Sequence, residues 1–113
     1  MHAPHDFDAH IYFVGEKESD LISALKSKIE IAFDQKNIFI GNIIPYPIGP
    51  HPLPMLEVNF GKERFSDVLF FLMKERGSLN ILVHSLSEDD FYDHSAGAIW
   101  LGKTLELDFS RFK

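Results

Sequence analysis

Five prolines fall within ten residues, Pro45, Pro47, Pro50, Pro52 and Pro54, and the rest of the chain must fold around them. Proline holds φ at about −65° and supplies no amide donor, so this segment can be neither helix nor central strand. It is a stiff loop, and it holds His51 between two prolines.

On both sides of the loop the pattern is strand, helix and strand. Phe7 to Val14 alternates, with Phe7, Ala9, Ile11 and Phe13 on one face and Asp8, His10 and Tyr12 on the other; Gly15 ends it. Ser19 or Asp20 can cap a helix running to about Gln35, on which Leu21, Ile22, Leu25, Ile29, Ala32 and Phe33 recur at helical spacing. The β-branched run Ile38 to Ile44 predicts a second strand, with Gly41 as a bulge. After the loop, Met55 to Phe60 alternates again: Leu56, Val58 and Phe60 against Met55, Glu57 and Asn59. A second helix is expected from about Glu63 to Arg76, with Phe65, Val68, Leu69, Leu72 and Met73 inward and Gly77 just past its end. Leu79 to His84 predicts a fourth strand, with Leu79, Ile81 and Val83 opposite Asn80, Leu82 and His84. An acidic stretch, Ser85 to His94, follows. Ala98 to Leu101 reads as a short strand or helix, and Thr104 to Lys113 as a further edge element.

The order βαββαβ predicts an α+β fold: a ferredoxin-like sandwich with a four-stranded antiparallel sheet, strand order 4-1-3-2, and two helices on one face. At 113 residues the chain fits one domain, 1–113, and 11 Phe, 3 Tyr and 1 Trp supply an ample core.

Composition narrows the chemistry. Cysteine is absent, which excludes disulfides, thiolate metal sites and a Cys nucleophile, and fits a reducing cytoplasmic setting. A formal charge of −6 with no basic cluster argues against nucleic acid. No apolar stretch approaches the roughly 18 residues of a membrane span. Met1 to Asp8 has neither a basic n-region nor an apolar core, so no signal peptide is expected. A Gly-rich phosphate loop, a nucleophile elbow and the HExxH pattern are all missing.

Any metal site must therefore use His, carboxylates and water. In the expected strand order, His10 on strand 1, Glu57 on strand 3 and His84 on strand 4 point to the same face, away from the helices. Neighbouring strands lie about 4.8 Å apart, so the three could converge on one ion. Two His and one carboxylate are the ligand set of many non-haem Fe(II) oxygenases, and imidazole also suits Zn. The plainer account makes His10 a polar residue bonded within the sheet and Glu57 half of an ion pair. His51 on its rigid loop suits a metal ligand or a general acid/base, or else is a surface residue of a structural turn. His94 could lean over the open face as a proton shuttle, whereas Asp89, Asp90 and Asp93 read as a solvated acidic loop. His2 and His5 read as terminal surface residues. Tyr12 and Trp100 could line an aromatic pocket or serve as packing. Met55, Leu82 and Tyr12 form an apolar patch on the same face, which would need cover and so suggests a homodimer.

Four segments, Asp8-Ala9-His10-Ile11-Tyr12-Phe13, Gly49-Pro50-His51-Pro52-Leu53-Pro54-Met55, Leu82-Val83-His84 and Asp93-His94-Ser95 with Ala98-Ile99-Trp100-Leu101-Gly102, resemble the DOPA 4,5-dioxygenase family of fungal and bacterial proteins. The resemblance covers nearly the whole chain. A close N-terminal His pair of some members is not kept, since position 8 is Asp. The resemblance implies a small, often dimeric ferredoxin-like domain that opens a catechol ring, such as that of DOPA, in extradiol fashion with O2. It implies Fe(II) as the metal, with Zn possible in purified protein, and carries site roles to His10, His51 and His84, and to His94. Taken with the strand-parity reading that alone brings in Glu57, His10 and His84 hold the metal with either His51 or Glu57, and the remaining His51 or His94 acts as the catalytic acid. Two other readings stay open: a dimeric small-ligand binding module without turnover, and a Zn-dependent hydrolase.

Overall fold

The computed structural model describes residues 6–34 and 36–112. His2, His5 and Gln35, the expected end of the first helix, lie outside the described residues. The elements are β1 (Phe7–Tyr12), α1 (Gly15–Ala32), β2 (Ile38–Ile44), β3 (Met55–Phe60), α2 (Phe65–Glu75), β4 (Asn80–Ser85), α3 (Asp90–His94) and β5 (Ile99–Leu101). Short 3₁₀ turns at Lys62–Arg64 and Phe109–Phe112 complete them.

The sheet order is β2-β3-β1-β4-β5, and every pairing is antiparallel. The expected order of the first four strands holds, but the sheet has five strands and not four. The fifth, Ile99–Leu101, pairs with β4 at Ile81↔Leu101, Leu82↔Trp100 and Val83↔Ile99. Without it, β4 would be an edge strand whose Ile81, Leu82 and Val83 are fully buried. Three residues are too few for an alternating pattern to register, so that strand was equally readable as a helix.

The alternation of each strand sorts its side chains between two layers. Ala9, Ile11 and Phe13, Leu56, Val58 and Phe60, and Ile81 and Val83 face the helices and meet Ile22, Leu25 and Ile29 of α1 and Val68, Leu69 and Leu72 of α2. Helix α1 starts at Gly15, four residues before the expected cap. Gly15 takes φ +79°, open to glycine, and Glu18 Oε1 accepts the Val14 N–H at 3.0 Å. Gly77 follows α2 at φ +57°, as expected. The ladder between β2 and β3 shifts register between Ile40 and Ile43, around Gly41. Two expected inward residues face solvent instead. Met73 is 60% exposed, one position round the helix from Leu72, and Ala32 is exposed at the end of α1.

The opposite face of the sheet is not open. The tail, expected as an edge element, runs across it without forming a strand among the described residues, anchored where Asp108 N donates to Pro50 O at 2.9 Å. Leu107 is buried there with Tyr12, Met55 and Leu82, against Leu53, Trp100 and Leu105. The apolar patch that suggested a second copy is thus covered by the chain itself. No helix among the described residues is long and apolar enough to cross a membrane.

Candidate metal centre

Leu105 and Leu107 of the tail cover one end of this face, and polar groups gather at the other, where the Phe112 ring of the same tail lies 4.8 Å from the His94 ring. β1 and β4 pair Asp8 with His84, and β1 and β3 pair His10 with Glu57 and Asp8 with Asn59. Parity then turns all five side chains to the same side. The proline loop brings His51 over them, and α3 brings His94. The His10 and His51 rings are 4.1 Å apart between centroids, and the His84 and His94 rings are also 4.1 Å apart. His10, His51 and His84 are buried, and His94 is half-buried. A cleft of about 550 Å³ opens beside His51, lined also by Ile48, Pro50, Leu107, Phe109 and Arg111.

Hydrogen bonds fix the tautomers of two rings. A carbonyl oxygen only accepts, so His84 Nδ1 must donate to Ser85 O at 2.8 Å, and His94 Nδ1 to Asp90 O at 2.8 Å. With Nδ1 as the donor, Nε2 is the atom of each ring left to offer a lone pair. His84 Nε2 lies 2.9 Å from His10 Nε2, which must therefore supply the proton between them. That leaves His10 Nδ1 as a buried acceptor without a hydrogen bond, 3.5 Å from Glu57 Oε1. An acceptor facing a carboxylate is a poor pairing. It is resolved if His10 Nε2 gives its lone pair to a cation, because the ring proton then sits on Nδ1 towards Glu57. Two imidazole nitrogens sharing one ion lie roughly 3 Å apart, which the spacing of His10 and His84 already meets. The donor set thus fits a divalent metal.

Among the described residues, two sets of three side chains offer ligand atoms within 4.8 Å of one another: Asp8, His10 and His84, and His10, His51 and His94. Asp8 Oδ2 is 4.0 Å from His84 Nε2. Asn59 Nδ2 donates to Asp8 Oδ1 and, at 3.2 Å, to Glu57 Oε2, so one amide braces both carboxylates. Glu57 reaches the cluster from behind His10 and belongs to neither set.

Burial governs the charge of the rings. His10 is held well below the usual imidazole range, first by burial and then by His51, His84 and His94. His51 is lowered to about 4, by burial and then by His94 and His84. Burial also lowers His94, against the opposing pull of its bond to the Asp90 carbonyl. At neutral pH these rings are neutral and offer lone pairs. Tyr12 is raised by burial, stays a neutral phenol, and bonds His51 Nδ1 at 2.7 Å.

The five residues given a metal or catalytic role from the sequence, His10, His51, Glu57, His84 and His94, lie together at one place. Asp8 and Asn59 were missed. Asp8 and Asn59 share the strand faces of His10 and Glu57, so alternation could have found them. Asp93, expected in a solvated loop, is 1% exposed. Asp89 does behave as expected of a surface residue, capping α3 through the Tyr92 N–H at 3.0 Å.

The chain is 36% identical to an uncharacterized 21.2 kDa protein of Botryotinia fuckeliana, over 95% of this chain and 63% of that one. It is 31% identical to a DOPA 4,5-dioxygenase of Amanita muscaria, over 89% of this chain and 46% of that one. The chain thus spans only about half to two thirds of the length of these relatives. A crystal structure of a candidate dioxygenase from Nostoc punctiforme superposes with a TM-score of 0.86 at 33% identity, covering 95% of this chain and 90% of that one. Residues 7–111 match the profile of the Dopa 4,5-dioxygenase family from one end of the fold to the other, and the chain belongs to that family.

Proposed function

We propose that this protein is an extradiol dioxygenase, opening the ring of a catechol such as DOPA with O2 at a single divalent metal. The observation that carries the reading is the His10–His84 pair, whose facing Nε2 atoms leave a buried His10 Nδ1 without a hydrogen bond, beside Glu57, until a cation takes the proton's place. Asp8, His10 and His84 would hold the ion, a set of two imidazoles and one carboxylate that leaves positions free. Fe(II) bound there would polarise the catechol oxygens and pass electron density from catecholate to O2.

The chain's own residues supply the rest. Glu57 orients His10 from behind rather than binding the ion. His94 Nδ1 is committed to Asp90 O, so its Nε2 is the atom that moves protons. His51 is a weak base in the resting site because burial holds it near 4. A catecholate alongside would raise it, so His51 takes up the substrate proton as the substrate binds and can return it as a general acid. Tyr12 holds His51 for that exchange. The cleft beside His51 admits the ring. The homodimer implied by the resemblance stays part of the proposal, to be read by sedimentation.

Oxygen uptake tests the reading. Metal-free protein is reloaded anaerobically with Fe(II) and given DOPA, caffeate and protocatechuate in turn, with visible absorbance recorded. One O2 consumed per catechol, with a yellow ring-opened product, is expected, and loss of uptake in folded His10→Ala or His84→Ala. Bound iron with no uptake from any catechol would favour a small-ligand binding module; turnover of an ester or amide with Zn and without O2 would favour a hydrolase.

A further inference from the structure

Asp93 makes its side-chain hydrogen bonds to none of the groups assigned above, yet it is the most deeply buried carboxyl among the described residues, at 1% exposure. It accepts three hydrogen bonds: from Ser85 Oγ at 3.2 Å, Ser87 N at 2.9 Å and Ser87 Oγ at 2.8 Å. Burying a carboxyl in a five-residue helix is costly unless those bonds hold it, and so short a helix does not persist on its own. The bonds therefore fasten α3 to the end of β4. On the β4 side, Ser85 is also the residue whose carbonyl accepts His84 Nδ1–H. On the α3 side, Asp93 is the neighbour of His94.

We infer that Asp93 is a positioning residue that sets His84 and His94 together, by tying the carbonyl that orients one to the helix that carries the other. This rests on the reading of His84 as an ion-holding residue and His94 as a proton mover. Asp93 acts through Ser85, Ser87 and α3, and the 4.1 Å spacing of the two rings is its product.

The test uses ¹⁵N-labelled, metal-free protein, in which imidazole nitrogen shifts report each tautomer, and Zn(II) affinity by competition with a chelator. Wild type should show His84 and His94 as Nδ1–H tautomers. In Asp93→Ala both signals should shift or average, and Zn(II) affinity should fall about 10–100-fold, the usual effect of losing support behind a ligand. Asp93→Asn keeps an acceptor of the same shape, and serine hydroxyls can reverse, so affinity should return to within about threefold of wild type. Asp93→Ala that merely lowers Tm, with tautomers and affinity unchanged, would overturn the proposal. Should Asp93→Ala not fold, the double variant Ser85→Ala with Ser87→Ala removes two of the three bonds. It should shift the same two rings, and unchanged rings there would also overturn it. If wild type binds no Zn(II), the metal reading fails, while the tautomers still decide the role of Asp93.

Discussion

At the scale of single residues, the question is which carboxylate holds the ion and which holds a ligand. Asp8 joins His10 and His84 in one set, whereas Glu57 stands 3.5 Å behind His10 Nδ1. Asp8→Ala should then abolish measurable Zn(II) binding under chelator competition, while Glu57→Ala should weaken it only about 10–100-fold. Equal losses would mean that Glu57 is itself a ligand. Tyr12 invites a second test. Tyr12→Phe keeps the ring and removes the partner of a buried His51 nitrogen, which should cost about 1–3 kcal/mol in urea denaturation. A neutral result would mean that water replaces the phenol. These residues differ in how legible they were. Strand alternation shows His10, Glu57 and His84 on one face because parity needs no tertiary knowledge, and Asp8 was legible on the same ground. His51 was marked by its prolines. Asp93 sits among Glu88, Asp89 and Asp90, where acidic composition reads as solvated, and only Ser85 at the end of β4 and Ser87 just beyond it reveal its burial.

At the scale of elements, the two helices and first four strands were readable because each buries one face and so writes its period into the sequence. Their ends were less so. The start of α1 depends on a left-handed Gly15 and a Glu18 that reaches back, both of which look unremarkable beside Ser19 and Asp20. The tail leaves no such signal, because it covers the sheet without pairing to it, and packing of that kind has no period. Leu107→Ala removes its buried anchor, and should destabilise the fold by about 2–3 kcal/mol and bring the Tyr12 and Trp100 environment towards solvent in fluorescence. Gly77→Ala tests a different term. No atom lies within 4 Å of where its Cβ would stand, so only the positive φ is penalised, by roughly 1–2 kcal/mol in the same denaturation assay. A stable Gly77→Ala variant would show that the turn can relax to another conformation.

For the molecule as a whole, the site and the stability are linked through protons. Three imidazoles, His10, His51 and His94, are held below their ordinary value of 6.5 in the folded state, chiefly by burial. Below about pH 6.5 the unfolded chain takes up protons at these rings. The folded chain resists, and His51 does not follow until about pH 4. The unfolded state thus binds more protons across that window, so stability rises with pH there and is lost as pH falls through it, with little change from these groups above neutrality. Folding therefore keeps lone pairs in place at a cost that acid exposes, which is what a site awaiting a cation requires. The metal-free protein should lose Tm steadily from pH 7 to pH 4.5, and His51→Ala should flatten part of that slope. Saturating Zn(II) should raise Tm at pH 7.5, since an ion bound only by the folded state stabilises it, and the gain should shrink with acid as protons compete for the same nitrogens. A slope unaltered by His51→Ala, together with a Zn(II) gain indifferent to pH, would place the ion and the protons on different groups.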